Sequence, residues 1–271
     1  MAARERTDAW ADAGGYEPYI GRWSRLVARE FLAWLAAEPG RTWLDLGCGT
    51  GALTHAVLAW QAPRRVLAAD RSFGYVSAAR AWATGTTARF VVADARELPV
   101  QHAACDVAVS GLVLNFVPEP ARMIAAMARA LRPGGLLALY VWDYRGRMEL
   151  LRYFWDAAAE LDEAAGELDE GRRFPLCQPE VLRVLLASQD LVDVEVRALE
   201  VPTRFRDFDE YWAPFLGGQG PAPGYVAGLD EPGRARLREL VRARLPREAD
   251  GSIGLVARAW AVRGNVPIGW H

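Results

Sequence analysis

Short apolar runs alternate with helix-like stretches between residues 42 and 142, and this alternation constrains the fold more than any other feature. Continuous apolar runs are typical of strands that are buried on both faces of a parallel sheet. Five strands are predicted: Thr42–Leu46, Arg65–Ala69, Ala88–Val92, Asp106–Val109 and Leu136–Trp142. The helices predicted between them are Ala52–Trp60, Phe73–Ala83 and Pro120–Leu131. Right-handed crossovers then predict a doubly wound, mostly parallel α/β sheet covered by helices on both faces.

The second half of the chain breaks this rhythm. Its predicted helices are Met148–Ala165, Pro179–Ser188, Asp207–Leu216 and Pro232–Leu245, and its predicted strands are Leu191–Val201 and Ser252–Val262. The segment Gly217–Gly224 is rich in turn residues and is predicted to be a loop that connects its neighbours or gates a site. Two late strands separated by helices predict an antiparallel addition to the sheet together with an inserted helical cap.

We therefore predict one domain over residues 1–271. Residues 1–40 form an N-terminal helical lid that includes a helix at Arg22–Ala37, and residues 41–145 form the core. The cap comprises residues 146–190 and 202–250, and the last strands are residues 191–201 and 252–263. Hydrophobic residues make up 52% of the chain, which is enough for a sizeable core and excludes wholesale disorder.

The charged residues exclude several classes of function. The 32 basic and 34 acidic side chains give a formal net charge of −2, whereas nucleic-acid-binding domains are usually clearly basic. All the basic residues are arginine. Because the chain contains no lysine, it cannot use Schiff-base catalysis or the lysine of a phosphate-binding loop.

The cysteines and the apolar runs indicate the cellular compartment in which the protein is expected. Cys48, Cys105 and Cys177 are too few and too scattered for a disulfide framework or a metal cluster. The charged N-terminus shows no signal-peptide pattern. The longest apolar run, Leu136–Trp142, is far shorter than the roughly 20 residues of a membrane span. We expect a soluble, cytoplasmic protein without a membrane partner.

The segment Leu44–Gly51, with the sequence Leu-Asp-Leu-Gly-Cys-Gly-Thr-Gly, joins the first strand to a helix. Its glycines permit a tight turn and let the backbone approach a ligand closely. Asp70 ends the second strand, where a carboxylate can accept hydrogen bonds from both ribose hydroxyls. Gly47, Gly49 and Ala52 also satisfy a dinucleotide-binding pattern, so this motif alone leaves two interpretations open.

Three further features separate these interpretations. Asp45 stands two residues before the first glycine, and Asp94-Ala95 follows the third strand. The segment Leu131–Gly135, with the sequence Leu-Arg-Pro-Gly-Gly, joins a helix to the fifth strand. With these features the chain resembles the class I S-adenosylmethionine-dependent methyltransferases of the type-11 small-molecule kind. The resemblance implies a seven-stranded sheet with an antiparallel last strand, and S-adenosyl-L-methionine as cofactor, with S-adenosyl-L-homocysteine as product.

The resemblance also implies roles for single residues around the methionine part of the cofactor. Gly47, Cys48 and Gly49 would lie against it, and Asp45 would help to hold its amino group. The segment from Ser110 to Leu112, at the end of the fourth strand, would line the methyl-donor end.

For the nucleoside part, the resemblance assigns the ribose to Asp70 and places Arg71 beside the adenine. Asp94 would accept a hydrogen bond from the adenine amino group, and the backbone N–H of Ala95 would meet a ring nitrogen.

The N-terminal residues resemble the lid of such enzymes. We expect Arg22 to pair with the cofactor carboxylate and Tyr19 to close over it, with Tyr16 and Trp23 toward the substrate. The alternative is the first turn of an ordinary amphipathic helix.

Further candidates for substrate contact are the aromatic residues after the fifth strand and in the inserts, because ligands of doubly wound folds bind beyond the carboxyl ends of the strands. They are Trp142, Tyr144, Trp155 and Trp212. Packing inside the cap is the alternative interpretation of these residues.

No catalytic base is assigned. His55 follows the glycine turn and is expected to pack, His102 lies before the fourth strand, and His271 ends the chain. None of them belongs to a metal-ligand cluster, and no metal is expected.

We predict methyl transfer to a small aromatic or amine-bearing metabolite, achieved mainly by positioning. RNA methylation is an alternative, since Pro232–Leu245 is rich in arginine, although a solvated helix face also accounts for these residues. Less favoured are a nicotinamide-dependent oxidoreductase and a non-catalytic cofactor-binding module.

Overall fold

A computed structural model describes residues 21–217 and 220–269, so Tyr16, Tyr19 and His271 lie outside the described residues. The seven strands within that part of the chain are β1 (Thr42–Leu46), β2 (Arg65–Asp70), β3 (Ala88–Val92), β4 (Cys105–Gly111), β5 (Leu131–Trp142), β6 (Val192–Phe205) and β7 (Ile253–Asn265).

The α-helices, numbered within the same residues, are α1 (Arg22–Leu35), α2 (Ala52–Trp60), α3 (Phe73–Trp82), α4 (Pro120–Ala130), α5 (Glu149–Leu161), α6 (Glu170–Arg173), α7 (Pro179–Ala187), α8 (Phe208–Trp212), α9 (Pro221–Gly228) and α10 (Glu231–Arg244). Three 3₁₀ turns are Leu114–Phe116, Glu163–Glu167 and Ala213–Leu216.

The seven strands form one sheet in the order β3-β2-β1-β4-β5-β7-β6. The strands β1 to β5 pair in parallel, whereas β7 runs antiparallel to β5. The predicted doubly wound sheet with a late antiparallel strand is confirmed. The strand order reverses between β1 and β4, so these neighbours form the switch point where such sheets bind ligands.

Continuous burial explains why the first strands form. In β1, Trp43, Leu44 and Leu46 are almost completely buried. The helix α4 begins with a proline in its first turn, where the missing N–H costs nothing, and buries Met123 and Met127. These side chains anchor the elements that carry the loops at the carboxyl ends of the strands.

The described chain forms two compact units. The sheet unit contains residues 24–143, 175–200 and 258–269. The insert unit contains residues 21–23, 144–174, 201–217 and 220–257. Residues 175–190, which the sequence analysis assigned to the cap, group with the sheet unit in this division.

Several predicted boundaries differ from the structure. The long helix predicted at Met148–Ala165 ends at Leu161, because Asp162 takes an extended conformation and caps the following 3₁₀ turn. The helix predicted at Asp207–Leu216 changes to a 3₁₀ turn after Trp212, next to Pro214.

The loop prediction for Gly217–Gly224 is wrong in its second half. The helix α9 begins at Pro221, after Gly220 with a φ of 94°. Proline is favoured in a first helical turn, and the burial of Ala222 and Val226 stabilises a helix that its composition does not predict. The segment Leu131–Gly135, expected as a connection, is the first part of β5.

Candidate functional site

The glycine turn after β1 has a backbone that only glycine adopts easily. Gly47, Gly49 and Gly51 have φ angles of 77°, 55° and 93°. A Cβ atom on Gly47 would lie 2.6 Å from both methyl groups of Val113, so this position also lacks space for a side chain. The turn is therefore held between β1 and the segment that follows β4.

Asp45 is a fully buried carboxyl group beside this turn. One oxygen, Oδ2, accepts a 2.6 Å hydrogen bond from the Thr54 hydroxyl on α2, whereas Oδ1 has no partner. Burial, with a smaller contribution from the nearby Asp70 carboxylate, raises the pKa of Asp45 to about 7. A buried oxygen without a donor is costly, and a ligand cation or N–H group would remove that cost.

Asp70 links the glycine turn to the start of α3. Its two carboxylate oxygens accept hydrogen bonds from the backbone N–H groups of Gly49, at 2.9 Å, and Ser72, at 2.8 Å. These contacts fix the carboxylate at the end of β2. Each oxygen keeps a further lone pair, so the group can still accept hydroxyl donors. Arg71, next to it, is exposed.

Asp94 is held by Arg96. The backbone N–H, Nε and Nη2 of Arg96 donate to the carboxylate at 2.8, 3.0 and 2.8 Å, and these bonds hold the pKa of Asp94 well below its usual range. Its role at the adenine remains a prediction. Ala95, between the two residues, is half-buried.

The end of β4 brings a strained backbone and a free hydroxyl to the switch point. Ser110 is buried and its Oγ has no partner. Gly111 leaves room for Tyr140, whose Oη would lie 2.6 Å from an added Cβ. Leu112 has a φ of 62°, an uncommon conformation for leucine that often marks ligand sites, and its N–H donates to the Tyr140 carbonyl.

The structure thus brings Asp45, Cys48, Gly49 and Asp70 together. The pKa of the buried Cys48 thiol is raised, first by burial and then by the two carboxylates, so the thiol is uncharged and unreactive. Carboxylate oxygens and a glycine backbone at one edge of the sheet suit a ligand that carries hydroxyl and amino groups.

Arg22 has a different partner in this structure from the one the sequence analysis predicted. Within the insert unit its Nη1 donates to Glu210 at 3.0 Å, and the guanidinium lies 4.6 Å from the Trp23 ring centre and 4.9 Å from that of Phe205. To bind a cofactor carboxylate Arg22 would have to leave Glu210, and its cofactor role remains a prediction.

The aromatic residues predicted to contact substrate are buried in the two units. Trp155 donates its Nε1–H to Glu170 at 2.6 Å, and Trp212 stacks on Phe208. Trp142 and Tyr144 are also buried. These contacts are those of core packing, the alternative interpretation of the same residues.

The described histidines do not form a catalytic centre. His55 is exposed and packs edge-on against Trp82, and His102 is exposed as well. Within residues 21–217 and 220–269, no group of three or more metal-ligating side chains could hold a metal ion. The same residues include no helix long and apolar enough to cross a membrane.

Sequence reasoning missed several residues that build this site. Thr54 holds Asp45, Arg96 holds Asp94, and Val113 packs on Gly47. Trp82 donates its Nε1–H to the Thr50 carbonyl at 3.0 Å. A lone threonine in an apolar helix next to a buried aspartate was a usable signal, whereas the contact from Trp82 depends on tertiary packing.

Comparison with known proteins shows similarity to methyltransferases. Residues 44–139 match the family model described as a methyltransferase domain. The trans-aconitate 2-methyltransferase of Deinococcus radiodurans is 29% identical over 235 residues, which cover 83% of this chain and 86% of that protein.

A second relative matches a shorter segment. The malonyl-(acyl-carrier protein) O-methyltransferase of Hahella chejuensis is 36% identical over 94 residues, which are 35% of this chain. The chain therefore spans about a third (34%) of the length of this relative.

A solved structure shows the same fold. Phosphoethanolamine N-methyltransferase 2 of Haemonchus contortus, in complex with S-adenosyl-L-methionine, superposes with a TM-score of 0.59 at 16% identity. The match covers 97% of this chain and 58% of that chain.

Proposed function

We propose that this chain is a class I S-adenosylmethionine-dependent methyltransferase that transfers a methyl group to a small-molecule acceptor. The observation that carries the proposal is the unpartnered Oδ1 of the buried Asp45, beside a turn of positive-φ glycines at the switch point. An acidic group in that place suits the amino group of a bound amino-acid moiety.

The residues present fit S-adenosyl-L-methionine, the cofactor of this family. Asp45 offers an oxygen to an ammonium group, and Asp70 offers two fixed oxygens to ribose hydroxyls. An added Cβ on Gly49 would meet nothing within 4 Å, which leaves open space beside the turn. When bound, the cofactor supplies an electrophilic methyl group on a positively charged sulfur.

The residues of this chain then act mainly by positioning. The turn is fixed by Val113 and Asp70, so the groups facing the ligand are held before it binds. Aligning two reactants in this way is worth effective molarities of about 10⁵–10⁸ M in favourable cases. We assign no catalytic base, and the acceptor gives up its proton to solvent or reacts already ionised.

For the acceptor we propose a small aromatic or amine-bearing molecule. The relatives support the small-molecule class, since their names specify trans-aconitate and phosphoethanolamine as acceptors. The formal net charge of −2 also disfavours a polyanionic acceptor such as RNA.

Thermal unfolding with added ligands tests this proposal. At 100 times its dissociation constant, S-adenosyl-L-homocysteine should stabilise the protein by about 2.7 kcal/mol, and NAD should not. The paired control is Asp45→Asn, which should lose most of the stabilisation. Stabilisation by NAD alone would point to an oxidoreductase instead. Release of S-adenosyl-L-homocysteine with a panel of phenols and amines, compared with RNA, then tests the acceptor class.

A further inference from the structure

A cleft lies at the amino ends of β1, β2 and β3, the sheet edge opposite the carboxyl ends that carry the glycine turn. Its volume is about 540 Å³, within the range of sites for small ligands. It is lined by Thr42, Arg64, Arg65, Thr87, Arg89 and Ala104. All of these residues belong to the sheet unit.

Strand pairing fixes the walls of this cleft. Thr42 and Arg65 are register partners in the parallel pair of β1 and β2. The backbone N–H of Val66 donates to the Thr87 carbonyl at 3.2 Å, and the N–H of Arg64 donates to the Arg41 carbonyl at 2.9 Å. Side chains on strand ends are held more precisely than those on loops.

The cleft carries positive charge that is not compensated by ion pairs in the described part of the chain. Among the described residues, Arg64, Arg65 and Arg89 form no ion pair. Asp106 approaches the cleft, since it accepts the Thr42 N–H at 2.7 Å, but it already pairs with Arg132 at 2.6 Å. A local charge of three cations thus stands out in a chain whose formal net charge is −2.

The side chains of the lining residues are suited to anions. Guanidinium groups donate several hydrogen bonds in a planar fork and accept none, and threonine hydroxyls add further donors. The Nη1 of Arg89 donates to the backbone carbonyls of Thr86 and Ala88 at 3.1 and 2.8 Å, which orients its guanidinium. The lining includes no carboxylate, so a cation has nothing to bind there.

We propose that this cleft binds a small organic phosphate that carries at least two negative charges. Two or more phosphate oxygens would accept hydrogen bonds from Arg64, Arg65 and Arg89 together. Arginine favours such bidentate pairing with phosphate. A five-residue strand spans about 17 Å, so a ligand in the cleft is too far from the switch point to be the methyl acceptor. The cleft is a second site, independent of the proposed function.

A concave site favours a compact ligand over a long nucleic acid. The lining residues border a cleft of limited volume, and the formal net charge of −2 gives the chain as a whole no attraction for a polyanion. RNA binding therefore serves as an outcome that contradicts the proposal.

Calorimetry with inorganic pyrophosphate at low ionic strength tests the site. We expect a dissociation constant of about 1 mM or lower, weakened about tenfold by Arg65→Ala and again by Arg89→Ala. The variant Arg65→Lys keeps the charge but loses the planar fork. Its affinity for pyrophosphate should therefore lie between those of the wild type and Arg65→Ala. Arg234→Ala and Arg236→Ala on the exposed face of α10 are the matched controls and should leave affinity unchanged.

Three results would overturn the proposal. The first is that the full chain does not bind pyrophosphate at a concentration 10-fold above the expected dissociation constant. The second is that the α10 control substitutions weaken pyrophosphate binding as much as the cleft substitutions do. The third is that single-stranded RNA binds more tightly than pyrophosphate through the same arginines. Affinity for S-adenosyl-L-homocysteine, measured on the same variants, should not change. A wild-type protein that binds pyrophosphate but not S-adenosyl-L-homocysteine would contradict the proposed function alone.

Discussion

At the scale of single residues, the site contains polar groups that the protein alone does not satisfy. Asp45 Oδ1, Ser110 Oγ and both amide atoms of Asn115 are buried without a partner. Each such group costs about 1–3 kcal/mol relative to a satisfied one. Asp45 lies in β1, Ser110 in β4 and Asn115 just after β4, so these groups flank the switch point, where the stability they cost would be regained on ligand binding.

The ionisation of Asp45 should control cofactor affinity. Its pKa of about 7 means that the carboxyl is largely protonated at pH 5 and ionised at pH 8. If the ionised form binds the ligand ammonium, affinity for S-adenosyl-L-homocysteine should rise about tenfold per pH unit between pH 5 and 7 and then level off. Calorimetry across this range tests the prediction. Asp45→Asn should bind S-adenosyl-L-homocysteine weakly and independently of pH. An affinity of this variant that still changes with pH would contradict the role assigned to Asp45.

Removing the unpartnered amide of Asn115 should stabilise the protein. Leucine has nearly the same shape and no polar atoms, so Asn115→Leu should raise the melting temperature of the free protein by about 2–4 °C. Asn265 is the only other asparagine of the chain and provides the control Asn265→Leu. A lower melting temperature for Asn115→Leu would show that the amide is satisfied in solution.

At the scale of secondary-structure elements, α3 supports the glycine turn. Trp82, its last residue, donates to the Thr50 carbonyl, and a Cβ on Gly51 would lie 2.5 Å from its ring. The ring also packs edge-on against His55 and Phe90. The turn is thus held by β1, by the segment after β4 and by α3.

Loss of the hydrogen bond from Trp82 should therefore weaken ligand binding more than it weakens folding. In Trp82→Phe the ring contacts remain and the N–H is lost, so affinity for S-adenosyl-L-homocysteine should fall about threefold to tenfold. The melting temperature should change by less than about 3 °C. Trp60→Phe, on the exposed face of α2, is the control. Equal affinities in the two variants would contradict a positioning role for Trp82.

At the scale of the whole molecule, buried acids set the pH dependence of stability. Glu170 is buried in the insert unit, and burial raises its pKa to about 7, as it does for Asp45 in the sheet unit. Both groups bind protons more tightly in the folded than in the unfolded chain. Above the unfolded pKa values the unfolded chain ionises these groups while the folded chain keeps them protonated. The free energy of unfolding therefore falls as pH rises and levels off above the folded pKa of about 7.

The free protein should therefore lose stability between pH 5 and pH 7.5, with a fall in melting temperature of about 10 °C. Glu170→Gln retains a hydrogen-bond acceptor for Trp155 but cannot ionise, so it should remove about half of the fall and leave the part that is due to Asp45. Glu180→Gln, at an exposed position on α7, should leave the curve unchanged. Thermal unfolding monitored by circular dichroism at each pH is the measurement. A curve for Glu170→Gln that parallels the wild type would contradict this account.

The periodicity of the first half predicts its elements well because their strands are buried on both faces. The bounds of β1, β3 and α2 agree with the prediction, since continuous apolar runs and the glycine turn mark their ends. In contrast α9 was missed, because Pro221 and Gly224 are typical of loops and only burial against neighbouring residues favours the helix.

The sequence by itself determined the doubly wound sheet, the glycine turn and the resemblance to methyltransferases, because these depend on local patterns and on residues near in the chain. Tertiary structure alone decided which groups are satisfied: that Thr54 holds one oxygen of Asp45 and leaves the other free, and that Arg22 pairs with Glu210. It also brought Arg64, Arg65 and Arg89 into one cleft. Partners far apart in sequence meet only when strands pair and helices pack, so spacing along the chain cannot reveal them.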